Sequence, residues 1–216
     1  MNKKTLFLSA LALIGLLFIG GTLYYNQSQS TLSQQQATKN LTKLIRHDGP
    51  AKGSADAKVT LVEFFDPACG TCAQFHPFVE DLLAQYPGKL RVMARYAPFH
   101  QGSDYLVKLL EASRKQGKFW QALEVMFATQ SEWASHEAPQ PQKIWTFLGP
   151  LGMDLEQLGR DLNAPGMDEI IQKDLRDGAA LNVSKTPEFF VNGRPLPRFG
   201  FEPLKTLVEE ELAKAY

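Results

Sequence analysis

The chain of 216 residues has an ordinary composition for a folded protein, with 44% hydrophobic and 21% charged residues. Its 23 Lys and Arg balance its 23 Asp and Glu, so the charge does not indicate a nucleic-acid or acidic partner. The length suits one domain with a sizeable core. The only two cysteines are separated by two residues, and a disulfide closing so short a loop stabilises a fold little. The core must therefore supply the stability, which leaves the cysteines free for chemistry.

The first residues have the pattern of a membrane anchor. Lys3 and Lys4 precede an uncharged run from Thr5 to Tyr25, which as a helix would span a hydrocarbon core of ~30 Å. The run lacks a good small-x-small cleavage site, which favours an anchor at residues 1–25 over a cleaved signal peptide. The positive-inside rule places the N-terminus in the cytoplasm. For a bacterial cell we expect a single-pass protein of the inner (cytoplasmic) membrane with its domain facing the periplasm or the outside, where disulfides persist.

Residues 26–48 are predicted to form a flexible polar tether. The stretch "NQSQSTLSQQQATKN" is of low complexity and has too few apolar residues to pack. The turn-rich stretch "HDGPAKGSADAK" leads into the folded domain. We therefore place the domain at residues 49–216.

A β-α-β unit is predicted around the two cysteines. The run "VTLVEFF" (Val59 to Phe65) is typical of a strand that is buried on both faces of a sheet. Apolar residues after the cysteines recur at helical spacing, and this helix should end at "YPGK". The run "KLRVMARY" (Lys89 to Tyr96) alternates like a second strand. The cysteines therefore lie at the start of a helix that directly follows a strand.

A helical insertion is predicted at about residues 103–181, because this part of the chain has several helical patterns and no strand-like run. Strand signals then resume with "EFFV", followed by Asn192 and Gly193, which is a hairpin signature. The chain closes with "EPLKTLVEEELAKAY", a predicted helix with Pro203 in its first turn. The fold class is therefore α/β, with a helical domain inserted between a β-α-β and a β-β-α half and one transmembrane helix in front.

The cysteines, Cys69 and Cys72, enclose Gly70 and Thr71 in the sequence CGTC. A cysteine at a helix N-terminus is acidified by unpaired backbone N–H groups and the helix dipole. We therefore expect Cys69 to be an exposed, acidic, attacking sulfur and Cys72 a shielded, resolving one. Exchange would run through a mixed disulfide between Cys69 and a substrate sulfur.

Two other interpretations of the cysteines remain open. A zinc site would need His76 as a third ligand and a fourth ligand that the sequence does not identify. An inert reduced pair is the other alternative. Neither accounts for this spacing at a strand-to-helix junction as well as redox chemistry does.

The stretches "VEFFDPACGTCAQFHPF" and "VSKTPEFFVNG" resemble the DsbA-like thiol–disulfide oxidoreductases of the thioredoxin superfamily. Three features carry the resemblance: CxxC at the head of the first helix, Pro77 at the position of the kinking proline, and Thr186-Pro187 before a strand. The resemblance covers the chain from about Gly49 to its end. It implies a thioredoxin fold with the helical insertion described above, a cis bond before Pro187, and a substrate-facing loop formed by Thr186 and Pro187.

The resemblance also concerns Glu63, which lies six residues before Cys69 in a strand predicted to be covered on both faces. A lone buried carboxylate is costly, so we expect it to be protonated, paired or water-linked, unless it reaches solvent at the end of the sheet. The family places an acidic residue here as a proton acceptor for the resolving thiol. One departure concerns Thr71, because strongly oxidising members carry His there. A threonine donates a hydrogen bond but no charge, which favours a less oxidising couple.

Together these features predict a membrane-anchored thiol–disulfide oxidoreductase that forms disulfides in extracytoplasmic proteins. The expected partners are cysteine-containing secreted or periplasmic proteins and a membrane redox partner. The bond cycles on the protein itself, so the prediction includes no metal and no organic cofactor. Two alternatives are a reductase or isomerase of protein disulfides and, in a different class, a non-redox holdase or assembly factor.

Overall fold

A computed structural model describes residues 35–135 and 137–216, together with residues 13, 15, 17–22 and 24. Most of the predicted anchor, and residues 26–34 of the predicted tether, lie outside the described residues. The described positions of the anchor segment are helical. Within the part of the chain that the structure describes, no helix combines the length and apolar character needed to cross a membrane.

One mixed sheet organises the described part of the chain, with the strand order β1-β3-β2-β4-β5. Strands β2 and β3 are parallel, and each outer strand pairs antiparallel with its neighbour. The strands are β1 Ala51–Gly53, β2 Val59–Phe65, β3 Leu90–Tyr96, β4 Glu188–Val191 and β5 Arg194–Pro195. The sequence did not predict β1, because a three-residue edge strand of Ala, Lys and Gly carries no strand signal.

The helices fall into two groups. Helices α1 (35–44), α2 (Gly70–Gln85) and α9 (Phe201–Ala215) belong to the sheet domain, and α2 contains Pro77. Helices α3 to α8 lie between β3 and β4, as the sequence predicted for the insertion. They are Ser103–Lys115, Phe119–Ala128, Gln130–Trp133, Trp145–Leu148, Leu155–Leu162 and Met167–Ala180, with short 3-10 turns at Pro141–Ile144 and Gly149–Leu151.

Both faces of the sheet are covered, which explains why nearly every residue of β2 is buried. Leu61 packs in a core with side chains of α2 and α9, whereas Val62 and Phe64 pack in a second core on the other face. Leu44, at the end of α1, is fully buried in that second core. The sheet is therefore the central layer, and α1 helps to close one of its faces.

The prediction of a flexible tether is wrong for residues 35–48. Ala37, Asn40 and Leu44 are buried at the helical spacing i, i+3 and i+7, a pattern that the polar composition of this segment hides. The Asn40 amide donates to the carbonyl oxygen of Gly193 at 2.9 Å. A Cβ atom added at Gly193 would lie 2.1 Å from the carbonyl oxygen of Ala37, so α1 packs directly on the β4–β5 hairpin.

A buried ion cluster joins the N-terminal segment, the sheet and the insertion. The Asp174 carboxylate in α8 accepts hydrogen bonds from Arg46 Nη1 at 2.8 Å, Arg95 Nε at 2.9 Å and the backbone N–H of Tyr96 at 2.8 Å. Arg95 and Asp174 are both 0% exposed. Arg46 also pairs with Asp48 and Arg95 with Asp177, but these carboxylates are more exposed, so removing Asp174 takes away the only fully buried partner of both cations among the described residues.

We predict that Asp174→Asn lowers the free energy of unfolding by about 3–5 kcal/mol, because it removes the fully buried carboxylate that Arg46 and Arg95 share and leaves them only the more exposed Asp48 and Asp177. Equilibrium unfolding in urea measures the change. The matched control is Asp168→Asn on the same helix, where the carboxylate is exposed and pairs with Lys108 at 2.6 Å. We expect the control to change stability by less than about 0.5 kcal/mol. Equal effects of the two substitutions would contradict a structural role for the cluster.

Candidate active site

The two cysteines lie where β2 passes into α2. Cys69 is the N-cap residue of α2, with φ −78° and ψ 116°, and its Sγ atom accepts a hydrogen bond from the backbone N–H of Cys72 at 3.4 Å. Both cysteines are free thiols. The Cys69 sulfur lies 3.3 Å from the carbonyl oxygen of Thr186, to which it donates when it is protonated. The fold therefore brings the CGTC segment and the Thr186-Pro187 loop together.

The peptide bond between Thr186 and Pro187 is cis, which confirms that expectation. The expectation that Cys69 is exposed is wrong in degree, since this residue is only 5% exposed. The Thr186 carbonyl covers one side of its sulfur, and the first turn of α2 covers another. Only a small part of the Cys69 surface is therefore accessible to a reacting partner.

The surroundings of Cys69 favour its thiolate and lower the pKa of this thiol to about 5. The largest cause is a hydrogen bond from the Cys72 thiol, which outweighs the opposing effect of burial. The Thr186 hydroxyl and the backbone N–H groups of Cys72 and Thr71 lower the pKa further. The helix N-terminus thus contributes as the sequence suggested, but the neighbouring thiol contributes more.

The pKa of the Cys72 thiol is shifted in the opposite direction, upward. It is 0% exposed, and burial raises the pKa of its thiol far above the ordinary range, with further contributions from the Cys69 hydrogen bond and the charges of Glu63 and Cys69. At neutral pH one sulfur of the pair is therefore ionised and the other holds its proton. The pair therefore consists of one thiolate and one buried, protonated thiol.

Glu63 lies in the middle of β2 and does not reach solvent freely, since it is only 8% exposed. Its Oε1 atom has no hydrogen-bond partner among the described residues. Burial, and secondly the charge of Cys69, raise the pKa of this carboxyl to about 8. Glu63 is therefore protonated at neutral pH in the folded protein, and its charge acts on Cys72 when it ionises.

The remaining residues of the motif lie at the start of α2. Gly70 is exposed, and a Cβ atom there would meet nothing within 4 Å, so its backbone has no steric need for glycine. Thr71 contributes its backbone N–H to the Cys69 environment. His76 points elsewhere, with its ring 5.2 Å from that of Phe127. The described residues hold no group of three or more His, Cys, Asp or Glu side chains arranged to bind a metal ion.

Sequence reasoning missed Asp66, a fully buried carboxylate three residues before Cys69. Its Oδ1 atom accepts from the backbone N–H of Ala68 at 2.8 Å and from the Ser103 hydroxyl. Its Oδ2 atom accepts from the backbone N–H groups of Phe99 and His100 at 2.7 and 2.8 Å, and it contacts His100 Nδ1 at 2.7 Å. An acidic residue between a buried strand and CxxC was the only available signal, and its partners are far away in sequence.

Gln130 in α5 was also missed. Its side-chain amide donates to the carbonyl oxygens of Pro67 at 2.8 Å and Cys69 at 3.1 Å. A half-buried glutamine in a helical insertion carries no sequence signal for such a contact.

The chain is similar to known proteins over most of its length. A family model described as thioredoxin matches residues 46–210. A sodium/proton antiporter NhaA of Herminiimonas arsenicoxydans is 33% identical over 145 residues, which are 67% of this chain and 22% of that protein. The chain therefore spans about a fifth of the length of this relative.

Solved structures share the fold over most of the chain. A thioredoxin-like oxidoreductase from Silicibacter pomeroyi DSS-3 is 25% identical, with a TM-score of 0.69 and coverage of 82% of this chain and 98% of that one. The alpha-DsbA1 protein of Wolbachia pipientis is 16% identical, with a TM-score of 0.71 and coverage of 82% and 96%. At that identity the second likeness shows the fold alone. The domain is thus thioredoxin-like, with DsbA-like structural neighbours.

We predict that Cys72→Ala raises the pKa of the Cys69 thiol by about one unit, because it removes the strongest hydrogen-bond donor to the thiolate. Cys72→Ser is the matched control, since its hydroxyl still donates, and we expect it to raise the pKa less. Ultraviolet absorbance of the thiolate as a function of pH measures both values, since each variant has a single thiol. Equal pKa values in the two variants would show that the donor at position 72 has no such effect.

We predict that Glu63→Gln makes the protein more stable, relative to the wild type, as the pH rises. Between the ordinary pKa of 4.5 and the folded value of about 8, the unfolded chain loses the Glu63 proton while the folded protein keeps it, so rising pH favours unfolding of the wild type. Glutamine cannot ionise, so the stability difference between variant and wild type should shift by about 3 kcal/mol in favour of the variant from pH 4 to pH 7.

Urea unfolding at several pH values measures this shift. Glu202→Gln, at the exposed start of α9, reports the effect of removing a surface carboxylate. A Glu63 variant whose advantage stays constant over this pH range would show that the buried carboxyl is ionised in the folded protein.

Proposed function

The chain belongs to the thioredoxin family, and from that premise we propose that it is a thiol–disulfide oxidoreductase acting on protein substrates through Cys69 and Cys72. The observation that carries the proposal is the contrast between the two thiols. The Cys69 thiol has a pKa of about 5, whereas the pKa of the buried Cys72 thiol is far above its ordinary value. Only the thiolate is a nucleophile, so this contrast assigns attack to Cys69 and resolution to Cys72.

In the oxidising direction a substrate thiolate attacks Sγ of Cys69 in the Cys69–Cys72 disulfide. A substrate–Cys69 bond forms, the Cys69–Cys72 bond breaks, and Cys72 leaves as a thiolate that takes up a proton. A second substrate thiolate then attacks the substrate sulfur of the mixed disulfide and releases Cys69 as a thiolate. The substrate loses two electrons and the pair gains them. A further disulfide-bearing or electron-accepting partner must reoxidise the pair.

Glu63 is assigned a role in moving the proton of Cys72. Its carboxyl is buried and unpaired at Oε1, and the charge of the carboxylate acts directly on the Cys72 thiol. With a pKa of about 8 it is protonated at neutral pH beside the Cys69 thiolate and can donate a proton. In a mixed disulfide Cys69 carries no charge, which removes one of the two causes of the raised pKa and favours the carboxylate that accepts a proton. When the mixed disulfide is resolved from within, Glu63 accepts the proton as Cys72 attacks.

Exposed aromatic residues that contact α2 or the segment before it support a polypeptide as the substrate. Phe99 is 47% exposed, and its backbone N–H donates to the carboxylate of Asp66, which lies just before the CGTC segment. Phe199 and Phe201, 45% and 43% exposed, pack on Phe75 of α2 with ring centroids 4.9 and 4.2 Å apart. Apolar residues beside a substrate cysteine, accessible only in an unfolded or extended segment, would pack on these rings. The Thr186-Pro187 loop beside Cys69 would contact the same segment.

Disulfide formation is the favoured direction, because stabilising the Cys69 thiolate stabilises the reduced pair and makes the couple more oxidising. Thr71 adds no charge at the position where a histidine would, which keeps a reductase or isomerase as the alternative. The exposed phenylalanines would also suit a holdase. In the same proposal residues 1–25 anchor the protein in the inner membrane, and the domain acts on secreted or periplasmic proteins with a membrane redox partner.

We predict that Cys72→Ser accumulates a mixed disulfide with an unfolded model protein that carries a disulfide, because Cys69 can attack but nothing resolves the adduct. Non-reducing electrophoresis with mass spectrometry of the linked peptide measures it. Cys69→Ser is the matched control and should trap at least tenfold less, since the pKa of the Cys72 thiol is raised.

Equal trapping by the two variants, or none by either, would exclude the proposed roles. A variant with both cysteines replaced by serine that still prevents aggregation as well as the wild type would favour the holdase. Equilibration of the wild type with glutathione shows whether the Cys69–Cys72 pair favours forming or reducing disulfides in its substrates. A couple more oxidising than glutathione supports disulfide formation, and a more reducing one supports the reductase.

A further inference from the structure

The insertion contacts the cysteine loop through one side chain. Gln130 is the first residue of α5, and its Nε2 atom donates to the carbonyl oxygens of Pro67 and Cys69 at 2.8 and 3.1 Å. Both acceptors lie more than 60 residues earlier in the chain. One amide group thus holds two peptide units, Pro67–Ala68 and Cys69–Gly70.

The two carbonyls belong to the backbone that determines where the Cys69 sulfur lies. The Cys69 N–H donates to the Asp66 carbonyl at 3.0 Å, and the Cys69 carbonyl also accepts from Ala73 in the first turn of α2 at 3.2 Å. Cys69 keeps its extended N-cap conformation between these contacts. A rotation of the peptide unit after Cys69 would move Sγ away from the Cys72 N–H and the Thr186 carbonyl, its partners at 3.4 and 3.3 Å.

The element that carries Gln130 is itself held in place. The indole N–H of Trp133 donates to Thr129 Oγ1 at 3.0 Å, and the Thr129 hydroxyl donates to the Val125 carbonyl at 2.8 Å. Trp133 is only 2% exposed. These bonds fix the junction of α4 and α5, so the Gln130 amide reaches the cysteine loop from a rigid support.

We infer that Gln130 is a positioning residue of the redox centre, which fixes the backbone of Pro67 and Cys69 so that the Cys69 sulfur stays at the N-terminus of α2. The relevance of this inference to disulfide exchange rests on the proposed function. It gives the insertion a part in the chemistry although none of its residues needs to touch the sulfur. It also predicts that a change at residue 130 alters the reactivity of the Cys69 sulfur, which can be measured directly.

The test compares Gln130→Met with Gln116→Met in the full chain. Methionine keeps the length of glutamine and removes its donors. Gln116 is a matched control in the same insertion, because its side-chain amide also bonds two backbone groups, the N–H and carbonyl of Asp154 at 2.8 and 2.9 Å. The rate of Cys69 alkylation by iodoacetamide is measured against pH, together with urea unfolding of each variant.

We expect Gln130→Met to shift the midpoint of the alkylation profile upward and to slow alkylation near pH 5 by about three- to tenfold, the effect of one ordinary hydrogen bond. Gln116→Met should stay within about twofold of the wild type. Gln130→Glu, which keeps the length but places a carboxylate against two carbonyls, should shift the midpoint further than methionine does.

An unchanged alkylation profile in both Gln130 variants would overturn the inference, even if they are less stable. Equal shifts in the Gln116 and Gln130 variants would also overturn it, because they would show a general effect of loosening the insertion. Alkylation needs no protein substrate, so this result is separate from the proposed function. A wild type that is alkylated as expected but forms no mixed disulfide would contradict the function and leave the positioning role intact.

Discussion

The site depends on a sulfur atom in the position that an oxygen usually occupies at the start of a helix. Serine, threonine, aspartate and asparagine are the common N-cap residues, because their oxygen atoms accept an otherwise unpaired backbone N–H. In α2 the Cys69 sulfur accepts from the Cys72 N–H. Sulfur is a weak acceptor as a thiol and a much better one as a thiolate. The N-terminus of α2 therefore stabilises the ionised form of Cys69. The same geometry places the second thiol one turn away, where its S–H group can donate to the first.

Much of this arrangement could be predicted because its determinants are local. The run of β-branched and aromatic residues in β2, the apolar spacing of α2 and the Asn192-Gly193 turn each act within a few residues, and the structure has the corresponding elements. The parts that were missed depend on contacts between distant segments. The helix at 35–44 is polar except for the few residues that face the sheet, and Asp66 and Gln130 have partners 33 to 63 residues away. The burial of Cys69 likewise depends on Thr186, 117 residues later.

Two buried carboxylates, Asp174 and Asp66, join the helical insertion to the sheet domain. At one end of the sheet, Asp174 of α8 binds Arg46 and Arg95, so that α8 is tied to the N-terminal segment and to β3. Near the cysteines, Asp66 binds the backbone between β3 and α3. Both carboxylates are 0% exposed, and each accepts several hydrogen bonds, as buried charges must. The insertion is therefore part of one packed unit with the site.

These well-satisfied carboxylates contrast with Glu63, whose Oε1 atom lacks a partner in the described part of the chain. A buried carboxyl oxygen without a partner destabilises a fold, and a sequence selected for stability alone would place an apolar residue in the middle of β2. The same chain satisfies Asp66 and Asp174 fully, so it has the means to pair a buried acid. The proposed function gives this unpaired oxygen a use, because a carboxyl with a free oxygen near a buried thiol can exchange a proton with it, and a fully hydrogen-bonded carboxylate could not.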